Sequence, residues 1–354
     1  MERQHLAVPR QGRREPPWRR QLDQQRLRQD REPRQPQDRE GHVPDEQGAP
    51  GRQGHPAGAS GEIASQILPQ LRRQYELVLL DVKATDRQGR PVAGVTLADL
   101  TDPDRGRYRW HFAQVDTVVH LAYRHPGSAD WGADLPPLER FEGELLNVRM
   151  AQNVYRCALE AGARRVVMAS SNHAADWYEH NLVHARKREM VYPTDLPLSD
   201  NFYGWAKAAY ELLGFVYASG VFGRTLEVVQ IRIGAPRGIS GRHYEGTLSE
   251  QHAGPGGSGL ANFKRDLGAW ISARDLAQLF SRAIEAPVIA DDHGVPWLVV
   301  YGISGNTRAF WSLENARRVL GYAPEDDSEI TCADDIRRLL TAPEAGAPGG
   351  RVGG

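Results

Sequence analysis

Three observations predict an α/β fold built on a doubly wound parallel sheet. Short apolar strands alternate with amphipathic helices from about residue 58 to about residue 330, a glycine-bearing turn opens the first helix, and the next strand ends on a carboxylate. Apolar strands separated by helices need both sheet faces covered, and that is how parallel strands are usually buried. At 354 residues the chain can bury one large core, or a large and a small one.

The elements follow in order. Ile63 to Arg73 reads as a helix, Glu76 to Asp81 as a short strand, and Asp116 to Ala122 as another. Glu139 to Ala161 is a long amphipathic helix leading into the strand Arg165 to Ser170. Asn201 to Ser219 is helical and Leu226 to Ile233 is a strand. Beyond Gly234 the periodicity weakens, with Gly254 to Gly259 as a flexible tip. A helix from about Ala273 to Glu285, a strand at Trp297 to Tyr301 and a helix near Trp311 to Leu320 complete the pattern. The expected organisation is residues 1–56 as a disordered or mistranslated segment, 57–234 as a dinucleotide-binding domain and 235–340 as a smaller interleaved subdomain, with 341–354 as a frayed tail.

The first segment stands apart by composition. Residues 1–55 hold twelve arginines, ten glutamines and no lysine, with nine acidic residues interleaved, and show no period of a strand or helix. The interleaved acids argue against a nucleic-acid arm, and a net charge of −1 gives no pull towards nucleic acid or an anionic membrane. A central strand should precede a glycine turn, yet Gly48 to Ala57 carries Pro50, Pro56 and three glycines. Out-of-frame reading of GC-rich DNA would produce such a composition, and that is the origin expected for residues 1 to about 57. No apolar run reaches a membrane span of ~18 residues, and the N-terminus has no signal-peptide core. Cys157 and Cys332 are too few for a disulfide framework or thiolate metal site. A cytoplasmic protein is expected.

Gly58-Ala-Ser-Gly61 opens the first helix, where backbone N–H groups and the helix dipole favour a pyrophosphate. Asp81 closes the following strand 23 residues after Gly58, placed to accept from adenosine ribose hydroxyls and to repel a 2′-phosphate. The cofactor expected is therefore NAD. Asp99 could approach the adenine or serve only as a turn residue.

Tyr203 and Lys207 carry the chemistry. Four residues apart on a helix, they share one face, and an adjacent ammonium should lower the phenol's pKa and make it a general acid/base. Ser170 and Ser171 end the preceding strand at the ligand-binding edge of such a sheet. A hydroxyl there can donate to a substrate oxygen as charge develops.

Together these residues resemble the extended short-chain dehydrogenase/reductase superfamily, the NAD-dependent sugar epimerases and dehydratases. Gly58-x-x-Gly61-x-x-Ala64, His120-Leu-Ala122, Asn147, Ser171, Tyr203 and Lys207 match its motifs. Ala169-Ser-Ser-Asn-His173, Phe202-Tyr-Gly-Trp-Ala-Lys207 and Trp270-Ile-Ser-Ala-Arg-Asp275 look like the uronate dehydrogenase-like subgroup. The resemblance implies a Rossmann-type fold with a small C-terminal substrate-binding subdomain. It implies Tyr203 as base, Lys207 as its partner and ribose anchor, Ser171 as carbonyl donor, and Asn147 as organiser of a relay water. By the same resemblance Gly58, Gly61, Ile63, Asp81, Asp99, Leu121, Ala122 and Lys207 hold NAD, Asn172 and His173 touch the sugar, and helices 139–161 and 201–219 form a homodimer. Two positions depart from the subgroup: Ala235 replaces a serine, and Tyr123-Arg-His125 replaces a small Gly/Ser stretch.

The implied function is an NAD-dependent oxidoreductase of a sugar or sugar acid. The alternatives are a nucleotide-sugar epimerase or dehydratase, or a non-catalytic dinucleotide-binding protein if the first strand is absent. His180 and His184 have metal-ligand spacing, but with no third ligand nearby they read as solvated, and no metal is expected. Arg232, Arg237, Arg242 and Arg274 are candidate anchors for a carboxylate or phosphate.

Overall fold

The computed structural model describes residues 58–127, 135–244, 259–290 and 293–340. The expectations for residues 1–57, 341–354 and most of the 254–259 tip lie outside that range. Helix α1 (Glu62–Gln74) buries Ala64, Ile67 and Leu71 along one stripe, with Glu62 in its first turn and Arg72 and Arg73 in its last. Those charges suit the helix dipole. Strands β1 (Leu79–Asp81) and β2 (Val95–Leu97) pair in parallel, Leu80 opposite Thr96.

The larger sheet is β3 (Thr117–His120), β4 (Arg165–Ser171), β5 (Glu227–Ile233) and β6 (Trp297–Gly302), all parallel and in that order. Between β3 and β4 lies α2 (Phe141–Ala161), ended by Gly162 at φ 82°, a left-handed cap that glycine adopts without strain. Helix α3 (Phe202–Ala218) joins β4 to β5. Helices α4 (Gly259–Ala269), α5 (Ala273–Glu285) and α6 (Glu314–Leu320) follow.

Two apolar clusters sandwich the sheet. One gathers Ile67 and Leu71 of α1 with Leu276, Leu279 and Phe280 of α5 against Val167, Val229 and Val300. The other gathers Val154 and Ala158 of α2 with Tyr210 and Tyr217 of α3 against Val166, Met168 and Val228. Helices on both faces of a parallel sheet are the doubly wound architecture expected from the sequence. The C-terminal part interleaves with it, since β6 extends the sheet beside β5.

The sheet is nevertheless in two pieces. In a doubly wound order the strand preceding the first helix stands between the strands labelled β1 and β3 here. Among the described residues nothing bridges those two, although Leu80 and Val118 pack into the same cluster. The cost shows in burial: all seven residues of β4 are buried, while Thr117, Val118 and Val119 of β3 are only half-buried.

Candidate active site

Tyr203 sits in the first turn of α3. Asn201 caps that helix, accepting from the Gly204 amide at 2.9 Å. A side chain at Gly204 would collide with the His173 carbonyl, so this glycine lets the segment after β4 lie directly against the helix start. The result brings Ser171, His173, Tyr203 and Lys207 together. Ser171 hydrogen-bonds the Tyr203 phenol, and the His173 and Tyr203 rings meet edge to face at 5.6 Å.

The electrostatics differ from the sequence expectation. Desolvation pushes the Tyr203 phenol up to about 12, against the lowering effect of Ser171, with Glu144 and Asp176 raising it further. Lys207 does not reverse this. Its ammonium donates to the Ala169 carbonyl at 2.9 Å and lies 5.6 Å from the Tyr203 ring centre. Burial in turn brings Lys207 down to about 8, opposed by Glu144 and Glu211.

Two further residues complete the cluster: Tyr123, noted above where the sequence departs from the subgroup, and Glu144, which the motifs did not single out. Tyr123 meets Tyr203 edge to face at 5.2 Å, and its hydroxyl donates to Glu144 Oε1 at 2.5 Å. Glu144 is 1% exposed on α2, and burial raises its pKa. A charged residue on the buried stripe of an amphipathic helix is the signal that would have revealed it.

Asn147, one turn from Glu144, is also buried, but both ends of its amide clamp the Arg124 backbone. Its Oδ1 accepts from the Arg124 amide, and its Nδ2 donates to the Arg124 carbonyl, each at 2.8 Å. This geometry makes the Asn147 side chain a clamp on the segment after β3. Asn172 is likewise occupied. It is 1% exposed, with its amide packed between the Ile233 carbonyl and the Arg265 guanidinium, while His173 faces Tyr203.

The remaining candidates divide. Gly58, Asp81, Asp99 and Ala122 line one cavity of about 360 Å³, with Tyr123, Arg124 and His125 on its wall. A Cβ on Gly58 would come within 2.7 Å of Asp81 Oδ2, which already accepts from the Ser60 amide at 2.9 Å. Asp99 also fills its turn role, accepting from the Thr101 amide and hydroxyl. Gly61 is the N-cap of α1, and Ile63 and Leu121 pack against the core rather than lining the cavity. The first N–H groups of α1 have no partner within the helix, the donor set a pyrophosphate takes.

Three of the candidate anchoring arginines are already paired. Arg232 is buried against Glu211, Arg237 meets Asp266, and Arg274 meets Glu325 and Asp326. Arg242 is exposed. His180 is not solvated as expected: its side chain is 1% exposed and faces Asp200, while His184 turns to Glu179.

The model of the NAD dependent epimerase/dehydratase family matches residues 57–294. The chain belongs to that family. It is 30% identical over 283 residues to an NAD-dependent glucose-6-phosphate dehydrogenase of Haloferax volcanii, covering 77% of this chain and 92% of the relative. It is 29% identical over 279 residues to a uronate dehydrogenase of Pseudomonas syringae pv. tomato, covering 77% of this chain and 82% of the relative. The crystal structure of a uronate dehydrogenase from Agrobacterium tumefaciens superposes with a TM-score of 0.56 at 25% identity, covering 81% of this chain and 88% of that one. These matches agree with the Rossmann-type fold and with the family and subgroup that the motifs resemble.

Proposed function

We propose that this protein is an NAD-dependent oxidoreductase acting on a sugar or sugar acid at an anomeric or secondary alcohol. One observation carries the reading: the cavity lined by Gly58, Asp81, Asp99 and Ala122 is walled by Tyr123, whose ring abuts Tyr203. A dinucleotide stretched from the α1 N-terminus would end beside the only phenol that also touches Ser171 and His173 among the described residues. NAD, when bound, supplies the hydride acceptor. Ser171 holds the substrate oxygen, Tyr203 takes its proton, and His173 orients the sugar. Lys207 retains most of its charge at neutral pH. By leaving the Ala169 carbonyl for the ribose and phenol it would supply the positive charge that the phenol lacks in the present geometry. Asp81 favours NAD over NADP by repelling a 2′-phosphate.

Residues 235–340 are read as supplying the substrate-binding side. A cytoplasmic homodimer suits the stripe of Trp205, Leu212, Phe215 and Val216, exposed along one side of α3. Among the described residues no helix is long and apolar enough to cross a membrane.

The test is a screen of uronates, aldoses and nucleotide sugars followed by reduced-nicotinamide absorbance. Net reduction with a sugar or sugar acid is expected. Sugar turnover without net reduction would make the protein an epimerase or dehydratase. Absence of both, with no thermal stabilisation by NAD, would sink the catalytic reading.

A further inference from the structure

Beside the catalytic helix lies a second cluster of ligand-type side chains. Asp176, His180 and Asp200 each place one oxygen or ring nitrogen within 4.8 Å of the others. His180 Nδ1 is 3.1 Å from Asp200 Oδ2. His180 belongs to a short π-helix, Glu179–Val183, a widened turn that often marks a functional position.

A second observation comes from Asp176. Its side chain is fully buried. One oxygen accepts from Asn201 Nδ2 at 2.7 Å and faces His173 Nδ1 at 3.1 Å. The other, Oδ1, is buried without a hydrogen-bond donor among the described residues. Neither partner of Asp176 is an ammonium or guanidinium. A buried carboxylate oxygen left without a donor is costly, and a bound ion is one of the few things that satisfies it. Two carboxylates held this close also repel one another unless a cation lies between them.

We propose that Asp176, His180 and Asp200 form a site for one divalent transition-metal ion, with zinc as the representative. Two carboxylate oxygens and one imidazole suit an ion of borderline softness better than calcium or magnesium. Zinc bonds to such ligands are about 2.0–2.2 Å long, so the three donors need to draw together by about an ångström. Asp200 is on the surface and can supply that movement. The ion would tie the segment carrying Asn172 and His173 to the start of the helix carrying Tyr203, because Asn201 bonds Asp176 and caps α3. It would be a fastener at the edge of the site, and its existence does not depend on the proposed redox reaction.

The experiment uses the full chain, freed of metal by chelation and dialysis and then titrated with Zn²⁺ by calorimetry, with Mg²⁺ and Ca²⁺ as controls. Co²⁺, whose visible bands report coordination, is the spectroscopic probe. One zinc per chain with affinity of about micromolar or tighter is expected. Asp200→Asn and His180→Asn should each weaken it by at least about tenfold, a step of ~1.4 kcal/mol. If His180→Asn does not fold, Asp200→Asn at the exposed ligand decides alone. Absence of stoichiometric binding would overturn the proposal and leave the three side chains as a hydrogen-bonded cluster. Zinc binding unchanged by Asp200→Asn would also overturn it, by placing the ion elsewhere.

Discussion

The catalytic side and the cofactor side of this molecule are built to different standards. Around β4 and α3 every residue of β4 is buried, and buried charges are paired: Glu211 holds Arg232 and the Ser170 hydroxyl, and Glu179 holds Arg265. Around β1, β2 and β3 the strands are short and partly exposed, and among the described residues the sheet is divided where a central strand would stand. The proton-handling residues thus sit on a rigid frame, while the dinucleotide cavity rests on three-residue strands and a glycine turn. Substitutions on the first side should cost activity or stability outright. Those on the second should change cofactor affinity by graded amounts.

The largest expected effect is that of Tyr203→Phe, which removes only the transferable proton. Turnover should fall by about 10²–10⁴-fold with NAD affinity kept, and retention of more than about a tenth of the activity would clear Tyr203 of the role. Next is Arg232→Met, which leaves the Glu211 carboxylate buried without its bidentate partner. A loss of ~3–5 kcal/mol is expected in denaturant unfolding, and a change below about 1 kcal/mol would show that the frame is looser than described.

On the other side, replacing residues 50–57 by an apolar β-branched strand should stabilise the protein, because Val118 and Val119 are only half-buried. Full burial of such side chains is worth ~1.5–3 kcal/mol each, so a rise of ~2–4 kcal/mol with tighter NAD binding would support the divided-sheet account. No change in either would count against it. Asp81→Ala should erode an NAD preference of about tenfold, ~1.4 kcal/mol, mainly by weakening NAD. Equal kcat/KM for NAD and NADP in the unaltered protein would remove Asp81 from the site.

The smallest effect is one of pH. Lys207 ionises at about 8 when folded and at an ordinary lysine value near 10.5 when unfolded. Between about pH 8 and 10 the unfolded chain therefore holds a proton that the folded chain has lost, and stability should rise with pH through that window. Tyr203, raised to about 12, reverses the slope above about 10. Lys207→Met should flatten the rise when melting is followed against pH.

Much of the catalytic side was legible in the sequence because its signals are local. Four-residue spacing on a helix placed Tyr203 and Lys207 together, and of the two serines at the strand end Ser171 meets the Tyr203 phenol while Ser170 turns to Glu211. Gly58 and Asp81, distant in sequence, were brought together by the helix-to-strand return that their spacing implied. What escaped depends on packing between elements. The Tyr123–Glu144 bond joins a loop to a helix, the burial of Asn172 depends on Arg265 from α4, and α4 itself was hidden by the glycine-rich run at its start. The pKa of Tyr203 was misjudged for the same reason: sequence supplies the neighbouring lysine but neither the desolvation nor the carbonyl that holds it away.

The most direct test follows the hydrogen itself. The protein is incubated with NAD and a panel of aldoses and uronates deuterated at the anomeric carbon or at ring C–H positions, and the cofactor is examined by mass spectrometry. Deuterium is expected in the reduced nicotinamide with at least one sugar, and is expected to be lost in Tyr203→Phe. Deuterium that never leaves the sugar while NAD binds, or transfer undiminished in Tyr203→Phe, would contradict the proposed function.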